Sequence, residues 1–284
     1  MKINLGNTNF RFLVLLFAIF CLASPFVLAQ DKVKEKSKSK SFCSNNNSWG
    51  DRASFRELRE MTMPAGSLLT VDGDRNGGIQ VKGDNRSDVL VRACVQTWGE
   101  TDEAARAAAQ NVRINTGSVV RAEGASENWS VSYEIFVPRQ TNLKLNTQNG
   151  GIHISGVEGS MDFEARNGGL HLSDLAGDVK GRTTNGGIHL NLDGNSWRGS
   201  GLDLQTTNGG IHLSIPASYA ARMELGTTNG GFHSSVNGLA LEKRDGERRR
   251  PGGRITADLN GGGAPIRLIT TNGGVHINSD SDKY

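Results

Sequence analysis

All six histidines of the chain fall in one five-residue phrase: Asn-Gly-Gly, an apolar residue, then His. The copies open at Asn149-Gly150-Gly151, Asn167-Gly168-Gly169, Asn185-Gly186-Gly187, Asn208-Gly209-Gly210, Asn229-Gly230-Gly231 and Asn272-Gly273-Gly274. Their histidines are His153, His171, His189, His212, His233 and His276. Start-to-start spacings are 18, 18, 23, 21 and 43 residues. A unit of about 20 residues cannot bury an apolar face alone, so copies of this kind must stack, one coil per copy.

Aligned on the Asn, the copies alternate apolar and polar residues on both sides of the corner. Six positions before it stand Leu143, Met161, Val179, Leu202, Met223 and Ile266, and four before it Leu145, Phe163, Gly181, Leu204, Leu225 and Leu268. Three after it stand Ile152, Leu170, Ile188, Ile211, Phe232 and Val275, and five after it Ile154, Leu172, Leu190, Leu213, Ser234 and Ile277. Period two on each side means strand, turn, strand. The predicted fold class is all-β: a single-stranded β-solenoid with an N-terminal β portion and one short α-helix. Asn and Gly suit a corner with unusual backbone angles, which predicts that Gly187→Val or Gly210→Val would strain the chain. Stacked Asn side chains can bond to one another in a ladder.

Between the inward residues lie outward ones. Five before the Asn come Lys144, Asp162, Lys180, Asp203, Glu224 and Arg267, the first four alternating in sign. Stacking in chain order would make Asp203 and Glu224 neighbours, with Asp162 and Glu164 two coils away. The histidines also point outward, so His153, His171, His189, His212 and His233 should line up about one coil apart. Such a row can be a structural polar ladder, a strip of metal ligands, or a face that repels itself when acid charges it. No Cys, Asp or Glu at fixed spacing completes a metal set, so no metal and no cofactor is assigned.

The pattern divides the chain into residues 1–29, 30–50, 51–140 and 141–284. The first segment reads as a signal peptide, with Lys2 and Arg11, an apolar run to Ala23, and small residues before Gln30. Ser24-Pro25 breaks the run, which argues against a lasting membrane span, and the bulky Phe20 before Cys21 against a lipoprotein anchor. Cleavage removes two of three net positive charges, leaving no field that would draw nucleic acid. Residues 30–50 read as a disordered linker, with five Lys and two acids between Asp31 and Lys40. Cys43 and Cys94 then remain, and in an oxidising compartment they can pair; two buried thiols are the alternative.

In the N-terminal portion, Ser54 to Met61 reads as a short helix, Val89 to Val95 and Trp129 to Val137 as strands, and 101–111 as a helix capped by Thr101. Arg75-Asn76-Gly77-Gly78-Ile79-Gln80 is a degenerate copy with Gln for His. Gly194 to Gly201 forms a small insertion. Residues 238–263 form a larger inserted loop carrying Lys243-Arg244 and Arg248-Arg249-Arg250, most simply a solvated charge run. Trp129 and Trp197 lie near loops, where they could stack on sugars or pack into the core. Carboxylates on adjacent coils, Asp203 and Glu224, would be the pair for a polysaccharide-cleaving enzyme, the least favoured reading; nothing resembles a P-loop or a nucleophile elbow, and no pattern builds a cleft around the acids, so an enzyme is not expected.

Several of these segments together resemble the bacterial "putative adhesin" family, a domain of unknown function. They are Gly66-Ser67-Leu68-Leu69-Thr70-Val71-Asp72 with Asn76-Gly77-Gly78-Ile79, the helix at 101–111, Trp129-Ser130-Val131 through Val137-Pro138, and the serial Thr-Asn-Gly-Gly-Ile-His copies. The resemblance covers about residues 60–279. It implies a β-solenoid in the cell envelope and carries no catalytic or ligand-binding residue. The expectation is an exported, non-enzymatic protein of periplasm, cell surface or medium that presents a repeat face to a glycan or envelope component.

Overall fold

The computed structural model describes residues 42–44, 52–236, 239 and 252–279, all within one unit, Lys40–Tyr284. Residues 1–29, read above as a signal peptide, nearly all of residues 30–50, read as a linker, and the arginine cluster at 248–250 lie outside the described residues. What is described is all-β with a single helix, arranged as two ten-stranded sheets. Each repeat copy gives one strand to each sheet, with the Asn-Gly-Gly corner between them. A hydrophobic core fills the space between the sheets.

The apolar columns dictate this arrangement. Leu143, Met161, Val179, Leu202, Met223 and Ile266 are each at most 3 % exposed. Across the core, Ile152, Leu170, Ile188, Ile211 and Val275 are wholly buried. Fully burying one such aliphatic side chain stabilises by about 1.5–3 kcal/mol, so the stacked columns supply most of the driving force.

The copies do not stack in chain order. In the first sheet the strands run Ile152–Ser155, Leu170–Ser173, Ile188–Asn191, Ile211–Ile215, then Val275–Ser279, and only then Phe232–Ser234. In the second sheet Pro265–Asn272 likewise lies between Gly201–Asn208 and Ala221–Asn229. The sixth copy is therefore threaded between the fourth and the fifth. The 238–263 segment is also not all loop. Gly253–Leu259 is a strand that pairs antiparallel with Ala221–Asn229 and covers that sheet edge.

Charge accounts for part of this order. In space the outward column reads Lys144, Asp162, Lys180, Asp203, Arg267, Glu224, strictly alternating in sign. Chain order would have set Asp203 against Glu224; instead Arg267 stands between them and its Nη1 donates to Asp203 Oδ1 at 2.8 Å. The carboxylate pair on which a glycosidase-like reading would rest is thus not assembled. Arg267→Glu would put three carboxylates in a row. Because these side chains are about one-third exposed, the expected loss is only about 1 kcal/mol, read as a lower urea midpoint.

At the N-terminal end the degenerate copy forms a coil of its own, with Leu69–Asp72 and Ile79–Asp84 in register with the first full copy. Beyond it the first sheet continues through Trp129–Pro138 and Asp88–Gly99 to Ala53–Pro64. Residues 54–61 are therefore strand, not helix. Glu, Leu, Arg and Met favour a helix locally, but all twelve residues of Ala53–Pro64 pair with Asp88–Gly99, and tertiary pairing overrides propensity. Phe55, Met61 and Met63 lie on the face that packs on the core.

The helix, Asp102–Gln110, starts at Thr101, whose hydroxyl accepts from the Ala104 amide at 3.1 Å. Arg59 ties its far end by donating Nη2 to the Ala109 carbonyl at 2.8 Å. Cys43 and Cys94 are joined by a disulfide, with Cα atoms 5.4 Å apart, which fastens the segment before the first strand to the sheet.

Candidate functional site: the histidine column

Polar columns run along the stack, and three of them are consumed by the fold itself. The Asn amides form a continuous ladder. Asn149 donates to Asn76 at 3.1 Å; Asn167, Asn185, Asn208, Asn272 and Asn229 follow, each bonding its neighbour at 2.7–2.8 Å. The charge column pairs signs, as above. A third column, present in five of the six copies, is Thr two positions before the Asn. Thr147, Thr183, Thr206, Thr270 and Thr227 each donate Oγ1 to the carbonyl of the first glycine in the adjoining coil, at 2.7–2.8 Å.

The second copy has Ala165 at this place, wholly buried between Thr147 and Thr183. Ala165→Thr is expected to give the Gly150 carbonyl the partner its equivalents have. The gain should be about 1 kcal/mol, or about 2–4 °C in melting temperature.

The histidines form a further column. His153 sits opposite His171, His171 opposite His189, His189 opposite His212, and His212 opposite His276, in parallel register. Their rings stack face to face with centroids 4.4, 4.8, 4.9 and 5.0 Å apart and interplanar angles of 2–9°. His233 terminates the column, tilted 46° against His276 at 6.1 Å. His276 thus takes the place that chain order assigned to His233. At the other end Gln80 continues the row beside His153.

Beside each ring, on the same strand, stands a small polar residue: Ser155, Ser173, Asn191, Ser214 or Asn278. On the other side is the second glycine of the corner. A Cβ there would come 3.0–3.8 Å from the Nε2 of its own histidine. At Gly274 that Cβ would crowd the ring at 3.0 Å, whereas at Gly151, Gly169, Gly187 and Gly210 the separations of 3.4–3.8 Å are ordinary contacts. Gly186, Gly187, Gly209 and Gly210 do not have positive φ, so the backbone-angle reading of Gly187 and Gly210 is set aside.

The column's chemistry follows from stacking. Burial and, second, the neighbouring His171 hold the His153 pKa below the ordinary 6.5. His189 and His212 are lowered for the same two reasons, desolvation and then the next imidazole, and His276 by desolvation, His212 and His233. A histidine with a depressed folded pKa binds fewer protons when native than when unfolded, so acid favours unfolding. Stability from this column is complete above about pH 6.5 and falls as the pH drops below that value. The expected result is a urea midpoint that declines from pH 7.5 to pH 5, a decline blunted by His189→Gln with His212→Gln.

The rings are poorly placed to share a metal. Zinc binds imidazole nitrogen at about 2.0–2.1 Å, so two nitrogens on one ion lie within about 4.2 Å. Parallel rings keep their nitrogens at about the ring spacing and aim them the same way, not toward a common point. Among the described residues no group of three His, Cys, Asp or Glu is set to hold a metal ion. The aromatic candidates are also spent. Trp197 is 6 % exposed and donates to the Gly177 carbonyl at 3.0 Å, and Trp129 packs partly against the core.

Fold and site together define a nearly all-β, two-sheet repeat fold with a solvent-facing imidazole row. The chain belongs to the Toastrack DUF4097 family, whose profile matches residues 75–278. Among solved structures it is similar to a "putative cell adhesion protein" from Clostridium sporogenes, at 10 % identity and a TM-score of 0.43, covering 80 % of this chain and all of that one. It is also similar to a "putative adhesin" from Bacteroides fragilis, at 8 % identity and a TM-score of 0.39, covering 78 % and 97 %. A "putative lipid binding protein" from Parabacteroides distasonis matches at 9 % identity and 0.27, covering 79 % and 96 %. No curated protein matches the chain.

Proposed function

We propose that the chain is an exported, non-enzymatic protein of the cell envelope or surface. Its repeat region winds as a β-solenoid and offers the histidine face for adhesion or scaffolding. One observation carries this reading. Among the described residues no imidazole nitrogen has a hydrogen-bond partner in the protein, whereas the Asn and Thr columns are committed to the fold. A row of donors and acceptors repeated at coil spacing and left uncommitted is what a binding face for an extended partner requires. The signal-like residues 1–29 supply the route to the surface, and the separated Asp203 and Glu224 remove the best pair for hydrolysis.

The test is fractionation of cells expressing the full chain with a C-terminal tag, with N-terminal sequencing of the product. The mature chain should begin at Gln30 and appear in the envelope or the medium, and cells lacking it should adhere less. An uncleaved chain confined to the cytoplasm would refute export. A second reading, a proton-responsive surface, is supported by the stacked rings and their lowered pKa values. A metal-responsive surface is disfavoured by the parallel nitrogens.

A further inference from the structure

Because the imidazoles stack on one another, their faces are taken and only their edges reach solvent. That excludes partners held by stacking, such as bases on aromatic platforms. What remains at the surface is a line of ring edges at 4.4–5.0 Å intervals, each able to carry N–H donors and, when protonated, a positive charge. Parallel to it runs the line of Ser155, Ser173, Asn191, Ser214 and Asn278, hydroxyls and amides on the same face.

Among the described residues the charged groups around the column are few. Glu134 and Arg92 continue the row beyond Gln80; Glu134 is 8 % exposed and is held by Lys82 at 2.7 Å and by Arg92. Lys82 stands in register with Ser155, at the head of the hydroxyl line. Asp174 and Asp193 lie in the turns after the second and third copies, Asp174 within 3.4 Å of Arg139. Arg166 precedes the Asn of the second corner. From His153 to His276 no carboxylate stands on the sheet face among the described residues, because each strand's outward positions are His and then Ser or Asn.

We propose that this face is a proton-gated docking surface for an extended acidic polysaccharide, with polymer carboxylates on the imidazole edges and sugar hydroxyls on the Ser and Asn line. The proposal rests on the surface-protein reading and names its partner. At pH 7.5 His153, His189, His212 and His276, held below the ordinary 6.5, carry little charge, and the face binds weakly. In mild acid each added proton strains the stack by repulsion between rings about 5 Å apart, and a polymer carboxylate beside each ring relieves that repulsion. Binding and protonation therefore promote one another. Polymer carboxylates with an ordinary pKa near 4 are still ionised at pH 5, so both partners carry charge there.

The experiment measures binding of polygalacturonate to the full chain at pH 5.0 and 7.5 by calorimetry, with dextran and inorganic polyphosphate as comparisons. Binding should be at least tenfold tighter at pH 5.0, weaken with salt, and be undetectable with dextran. Changing His171, His189 and His212 together to Gln should sharply reduce the pH dependence, since only His153, His233 and His276 then remain in the row. Gln is what the chain itself places at position 80 of this row, and a melting curve checks that the variant is folded. His189→Lys keeps a charge at both pH values and should bring binding up at pH 7.5.

Equal affinity at the two pH values would overturn the proposal, as would undiminished binding by the triple variant, no gain for His189→Lys, or binding of dextran. Polyphosphate bound in preference to polygalacturonate would overturn the assigned partner. None of these outcomes touches fractionation or adhesion of cells, on which the surface reading stands separately.

Discussion

Gly209→Ala should destabilise the protein by about 4 kcal/mol, while Gly210→Ala, one residue on, should cost less than about 1 kcal/mol. A Cβ on Gly209 would lie 2.0 Å from the carbonyl oxygen of Gly186 in the coil beneath. Nothing flexible can yield there, since that oxygen is backbone and its coil is held by the Gly186 amide bond to Asn208 at 3.0 Å. The coils would have to part by about an ångström, breaking parallel bonds on both sides. At Gly210 the nearest atom to a new Cβ is the Gly274 oxygen at 3.4 Å, an ordinary contact. Gly168 and Gly186 should behave like Gly209, their Cβ positions falling 2.0 and 2.1 Å from the carbonyl below. Thermal melting of the two alanine variants decides the matter: a drop of about 10 °C is expected for Gly209→Ala and almost none for Gly210→Ala. Equal effects would show that the corner is limited by something other than coil-to-coil approach.

The second large effect lies inside the stack. The column four positions before the Asn reads Leu145, Phe163, Gly181, Leu204, Leu268, Leu225 in space. Phe163 and Gly181 are a complementary pair: a Cβ on Gly181 would sit 2.2 Å from Phe163 Cε2. The ring fills the space that the glycine leaves. Gly181→Leu alone overpacks the core and should cost about 3–4 kcal/mol, and Phe163→Leu alone should leave a cavity worth about 1–2 kcal/mol. The double variant turns the column into six leucines and should be near wild type, a coupling of at least about 2 kcal/mol in the cycle. Urea unfolding of the four proteins measures it. Additive losses would mean that the two side chains do not share one space.

Much of this architecture was legible in the letters. Alternation around each Asn separates inward from outward positions, because a strand has period two whatever its neighbours are. The helix near 101–111 announces itself through Thr101 and its acidic first turn, since capping is local chemistry. Residues 54–61 were misleading for the opposite reason. Their helix preference is local and weak, and a twelve-residue pairing with Asp88–Gly99 outweighs it. The corner glycines were assigned a backbone-angle role from their identity alone. What limits the first of each pair is a carbonyl in another coil, which no single copy contains.

Within a copy, then, the sequence settles which side chain faces the core, which joins a ladder and which meets solvent, because those roles follow from strand geometry. Which copy lies beside which was decided only in three dimensions. Every coil offers its neighbours the same backbone edge, so hydrogen bonding cannot tell the fourth copy from the sixth. Pairwise charge terms contribute to that choice, with Arg267 set between Asp203 and Glu224. Such terms exist only once the coils have met, and they help put His276, not His233, next to His212.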